Sequence, residues 1–109
     1  MSVASEIKKV CRQIVDNFQP QKIILFGSNA NGKRGEDSDI DLLVVMPFDG
    51  RNVEQAVKIR QCVSSKIPLD LIVRTSNQIQ ERIALEDFFI KEIIERGKVL
   101  YEADNAGMG

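Results

Sequence analysis

Asp39 and Asp41 stand two residues apart at the head of an aliphatic run, Leu42 to Val45. Side chains on a strand repeat every second residue, so both carboxylates project from one face, about 6–7 Å apart along the backbone. A pair so placed suits a hard divalent cation, because Mg²⁺ takes oxygen ligands and is commonly held by one or two carboxylates with substrate phosphates completing the shell. Upstream, Gly27-Ser28 closes a second apolar run, Ile23 to Phe26. Glycine permits close backbone approach and free N–H groups bind anions, which makes Gly27 and Ser28 candidates for holding phosphate. Taken singly these signals are weak. Gly-Ser is usually a turn and Asp-x-Asp is often a solvated strand end; their spacing and their placement at the ends of two strands carry the weight.

The elements that must position these residues are legible from periodicity. Ile7, Val10, Cys11, Ile14, Val15 and Phe18 recur at helical spacing and Pro20 bars continuation, which predicts a first helix over residues 4–18. Strand one is expected over Lys22 to Phe26. A short helical turn broken by Gly32 and Gly35 should follow. Strand two is expected over Asp39 to Met46, ended by Pro47, with the Leu42 to Val45 run covered on both faces. A weaker amphipathic helix carries Val53, Ala56, Val57, Ile59 and Val63 and ends before Pro68. Strand three, Leu69 to Val73, contains one charged residue, Asp70, which within an apolar strand reads as a buried acid in need of a partner. Thr75 or Ser76 can cap a helical stretch that runs, with a break, through Ile79, Ile83, Leu85, Phe89, Ile93 and Ile94 until Gly97 supplies a C-cap. A last strand, Lys98 to Tyr101, completes the sheet. The pattern is one α/β domain over residues 1–102, a mixed sheet of about four strands with packed helices, and a flexible tail over 103–109.

Composition narrows the chemistry. The 109 residues include 15 Lys plus Arg and 16 Asp plus Glu, which gives no general pull toward DNA or an anionic membrane, although a local basic patch remains open. Lys33 and Arg34 read as a solvated charged loop. No histidine is present, which excludes His-dependent triads, His metal ligands and His general bases. Cys11 and Cys62 read as small core residues, and Tyr101, the single tyrosine, as a core residue. The N-terminus has no apolar signal region and no run reaches the roughly 20 residues of a membrane span, so the expected location is cytoplasmic.

Gly27-Ser28, ten intervening residues and Asp39-Ile40-Asp41 resemble the signature of the DNA polymerase β-like nucleotidyltransferase superfamily, and the small size resembles its minimal branch. The resemblance implies a nucleotidyltransferase fold and a nucleotide triphosphate held at Gly27 and Ser28. It implies two Mg²⁺ ions held by Asp39 and Asp41, with Asp70 as the third carboxylate, completing the second metal site and taking the acceptor's proton. The expected reaction is transfer of AMP from ATP to a hydroxyl, releasing pyrophosphate. Minimal members are commonly antitoxins that modify a HEPN-domain ribonuclease toxin on a tyrosine, and the short chain agrees with an acceptor supplied by such a partner. The absence of histidine excludes the toxin role itself. Asn31 departs from the arginine that frequently stands at that position in the family. Two other readings are an antitoxin that neutralises by contact alone and transfer to a small molecule, the latter disfavoured because those relatives carry a further substrate domain.

Overall fold

The computed structural model describes residues 3–27 and 39–103. Eight elements follow in order: α1 (Val3–Phe18), β1 (Lys22–Phe26), β2 (Ile40–Val45), α2 (Asn52–Cys62), β3 (Leu69–Arg74), α3 (Ser76–Ala84), α4 (Phe88–Arg96) and β4 (Lys98–Glu102). The strands form one mixed sheet in the order β3-β2-β1-β4. β1 runs antiparallel to both β2 and β4, while β3 lies parallel to β2 after the α2 crossover. This is the expected α/β class with four strands. The predicted turn through Gly32 and Gly35 lies outside the described residues, as do Ser28 and residues 104–109.

Two apolar layers cover the sheet, and strand alternation assigns each residue to one of them. Ile23 and Leu25, then Ile40, Leu42 and Val44, then Leu69 and Val73 meet Val10 and Ile14 of α1 and Ile59 of α2. Ile24, Leu43 and Val45 meet Ile79 of α3 and Ile90 and Ile93 of α4, with Phe26 and Ile72 at the margin. β2 is therefore buried on both faces, which is why its sequence shows a continuous aliphatic run rather than alternation. Asp41 belongs by parity to the α3/α4 face, together with Leu43 and Val45.

The joints have local causes. α1 is tied to the approach to β3 through Glu6, which pairs with Lys9 Nζ at 3.1 Å and accepts the Lys66 backbone N–H at 3.2 Å. That N–H, with Lys9, holds the Glu6 carboxyl below its usual range. Thr75 caps α3, accepting from the Gln78 N–H at 3.1 Å while the Gln78 side chain takes the Thr75 N–H at 3.0 Å. The long helical stretch predicted after Thr75 is two helices. The break falls at 85–87, where Glu86 adopts φ 60° and Asp87 starts α4 by accepting the N–H groups of Phe89 and Ile90.

Gly97 is the C-cap of α4, as expected, at φ −70° and so without a left-handed turn; a side chain there would collide with Ile24 and the Ile93 carbonyl, so glycine is needed for close packing. One expectation is corrected. Cys11 packs partly buried against the core, but Cys62 is exposed, because α2 turns its last residue to solvent. Both cysteines are free. Tyr101 is half-buried against the α1/α2 layer, as expected of a core-facing ring. Among the described residues, no helix is long and apolar enough to cross a membrane.

Candidate functional site

The ladder brings the candidate residues together at one end of the sheet. Asp41 is in register with Phe26 on one side and with Asp70 on the other. Neighbouring strands lie about 4.8 Å apart, and in-register residues point to the same face, so the Asp41 and Asp70 carboxylates stand side by side on the α3/α4 face. When one of them carries a proton, the pair can share a hydrogen bond. Asp39 lies exposed one step before β2 and adds its charge to the same point.

Burial, then the hydrogen bond and charge of Asp70, then the charge of Asp39, push the Asp41 carboxyl up to about 6. Asp41 and Asp70, side by side, need either a proton or a cation between them. Gly27 closes the site from β1 with φ +75°, and a Cβ at that position would run into the Asp41 carboxylate. The turn after Phe26 therefore passes directly against the acidic strand, and only glycine permits it.

The sequence-derived set is thus assembled for Gly27, Asp41 and Asp70, with Asp39 adjoining; Ser28 lies outside the described residues. Asp70 is exposed rather than buried. β3 is the edge strand, so its acid meets solvent on the open side and Asp41 on the other. Among the described residues, no three acidic, cysteine or histidine side chains converge closely enough to enclose an ion by themselves. The donor set nevertheless fits Mg²⁺, which is commonly held by one or two carboxylates plus the phosphates of a bound substrate.

Beside Gly27 a cavity of about 240 Å³ opens on the same face, walled by Phe26, Phe89 and Ile93 with Glu92 and Arg96 at its rim. Phe26 and Phe89 meet edge to face, centroids 5.8 Å apart. The periodicity of α4 placed Phe89 in the apolar stripe; it is instead 56% exposed at the mouth of this cavity. Its adjacency to another aromatic, Phe88, was the one sequence signal that α4 carries more apolar surface than its short core contact uses.

The profile of the family described as nucleotidyltransferase domain matches residues 4–101. The chain belongs to the nucleotidyltransferase-domain family. Relatives of this nucleotidyltransferase domain include two Methanocaldococcus jannaschii proteins provisionally named protein adenylyltransferases. MJ0604 is 34% identical over 82 residues, covering 74% of this chain and 78% of the relative. MJ1379 is 41% identical over 56 residues, 48% of this chain, and the matched stretch spans about half the relative's length, 54%.

Solved structures share the fold. A candidate nucleotidyltransferase from Sulfolobus solfataricus aligns with TM-score 0.55 at 19% identity, over 72% of this chain and 78% of that one. A chain of a toxin–antitoxin complex solved with AMP-PNP aligns with TM-score 0.54 at 24% identity, over 90% and 74%. A chain of the toxin–antitoxin MntA–HpeT, in a variant with two aspartates changed to glutamate, aligns with TM-score 0.51 at 22% identity, over 90% of this chain and 74% of that one.

Proposed function

We propose that this nucleotidyltransferase domain transfers AMP from ATP to a hydroxyl, most directly a tyrosine, of a HEPN-domain toxin, and so acts as an antitoxin in the cytoplasm. The observation that carries the reading is Gly27 packed against Asp41, with Asp70 in register beside it. The provisional names of the relatives and the toxin–antitoxin assemblies among the fold neighbours support the choice of acceptor.

Asp39, Asp41 and Asp70 would hold two Mg²⁺ ions, which when bound neutralise the phosphates and stabilise the charge on the attacking and leaving oxygens. Gly27 and Ser28 would hold the triphosphate by backbone N–H groups and the hydroxyl. The apolar walls of the Phe26–Phe89 cavity offer a surface for the nucleoside. The acceptor oxygen forms a bond to the α-phosphorus, the bond from that phosphorus to the bridging oxygen breaks, and pyrophosphate leaves. Asp70, exposed on the edge strand, takes the hydroxyl proton.

The test is transfer of label from α-labelled ATP, with Mg²⁺, to the protein encoded beside this one. Label on that protein that vanishes with Asp39→Asn/Asp41→Asn supports the reading. A stable complex that silences the partner without label, or full neutralisation by the double variant, replaces catalysis with an antitoxin acting by contact.

A further inference from the structure

Asp70 lies on the outermost strand of the sheet, and among the described residues no strand pairs with the open side of that strand. The Ile40 N–H donates to the Pro68 carbonyl at 2.9 Å and the Met46 N–H to the Arg74 carbonyl at 3.1 Å. In a parallel ladder these two bonds set the parity: Asp70, Ile72 and Arg74 turn their backbone groups toward β2, while Leu69, Leu71 and Val73 turn theirs outward. The Val73 carbonyl is covered by the guanidinium of Arg74 at 2.8 Å. Among the described residues no strand pairs with the outer edge of β3, which leaves the groups of Leu69 and Leu71 facing outward next to Asp70.

A groove follows this edge. One depression of about 410 Å³ lies between α2 and residues 71–74, and a second of about 360 Å³ continues past Pro68 to Leu69; Arg60 lines both. Val53 and Val57, one helical turn apart and 69% and 47% exposed, form its apolar bank. Its charged lining is Arg60, Lys66 and Arg74, with no carboxylate among the lining residues described. Glu6, on α1, accepts the Lys66 backbone N–H and also faces that lysine's charge, though more weakly than it meets Lys9. This cationic stretch is local, since the chain as a whole carries a formal net charge of −1.

We infer that the edge of β3 binds an extended, acidic segment of the protein acceptor as an added strand, placing a hydroxyl-bearing residue opposite Asp70. The inference rests on the proposed transfer reaction. An added strand lies about 4.8 Å away and its residues alternate faces, so the residue in register with Asp70 projects onto the face that carries Asp41. Backbone bonds at Leu69 and Leu71 set register, the valines take alternate apolar side chains, and the three cations select acidic flanks.

The probe is the peptide Glu-Glu-Val-Tyr-Val-Glu-Glu-amide labelled with fluorescein at its N-terminus, whose two valines lie on the face opposite the tyrosine, titrated against the full chain without ATP, with amide hydrogen exchange followed by NMR. The expected result is saturable binding, slowed exchange at Leu71, and a loss of about tenfold or more in affinity with Arg60→Glu and with Val57→Asp, both at exposed positions, while AMP-PNP binding is unchanged. No binding, equal binding by Arg60→Glu, protection on β4 instead of β3, or preferential binding of a seven-nucleotide RNA overturns the inference. The two readings fail separately. Undiminished label transfer to the partner in Arg60→Glu overturns the edge site and leaves the transferase standing; peptide binding as described without any label transfer does the reverse.

Discussion

Asp41 is held between Asp70 and Gly27, and its stability cost has a definite sign. In the unfolded chain its carboxyl ionises near the ordinary value of 3.8, whereas in the fold it keeps its proton to about 6. The folded state binds more protons between those values, so stability falls as pH rises through that window and the full penalty is present above it. At this partly exposed carboxyl, solvent screening reduces the effect to on the order of 1 kcal/mol, a few degrees in Tm for a chain this size. Thermal melts in EDTA at pH 4.5 and pH 8 should therefore show a larger drop for the wild type than for Asp41→Asn, and the variant should be the more stable protein at pH 8. Mg²⁺ added at pH 8 should raise the wild-type Tm and leave that of Asp41→Asn nearly unchanged; equal responses would remove Asp41 from the ion's ligands. Gly27→Ala puts a Cβ into the same carboxylate at a left-handed φ. It should cost about 2 kcal/mol in urea unfolding and abolish AMP-PNP binding by calorimetry.

Between α3 and α4 the chain turns on side chains that speak to backbone. The Asp87 carboxylate accepts two of the free N–H groups that open α4. Asp87→Ala should cost about 1 kcal/mol by chemical denaturation and shift the walls of the Phe26–Phe89 cavity, because Phe89 and Ile93 ride on that helix. Asp87→Asn, which keeps the capping oxygen, should recover most of the loss. Gly97 joins α4 to β4 where a methyl group would strike Ile24 and the Ile93 carbonyl, so Gly97→Ala should destabilise by roughly 1–3 kcal/mol although its φ is ordinary.

The sheet is shared by two apolar layers, and β2 runs through the middle of both. Leu42 faces α1 and α2, Leu43 faces α3 and α4, and neither retains solvent exposure. Truncation of either to alanine should cost about 2–5 kcal/mol by urea melts, a large share of the roughly 5–15 kcal/mol that holds a small domain together. The two variants should differ in effect on the site. Leu43 adjoins Asp41 on the reacting face, so Leu43→Ala should weaken AMP-PNP binding more than Leu42→Ala does, measured by calorimetry at a temperature where both are folded.

What the amino-acid order determined alone was the set of elements and the acids they carry. Lys22 to Phe26 is the first strand with the expected bounds, the second is Ile40–Val45 inside the expected 39–46, and Thr75 caps α3 as its side chain suggested. These features are local: periodicity, capping chemistry and Pro20 act within a few residues. The spacing of Asp39 and Asp41 likewise needed only the period of a strand. Tertiary structure decided the rest, because it depends on which strands pair and on which side.

The parallel register of β3 beside β2 brings Asp70 to Asp41, and the position of β3 at the edge exposes that acid where its apolar neighbours suggested burial. The exposure of Cys62 and the opening of Phe89 onto a cavity follow from where α2 and α4 end against the sheet. No local pattern records that placement. The requirement for glycine at 27 and 97 is of the same kind. In each case the atom that forbids a side chain, the Asp41 carboxylate or the Ile24 methyl, comes from another strand and arrives only when the fold closes.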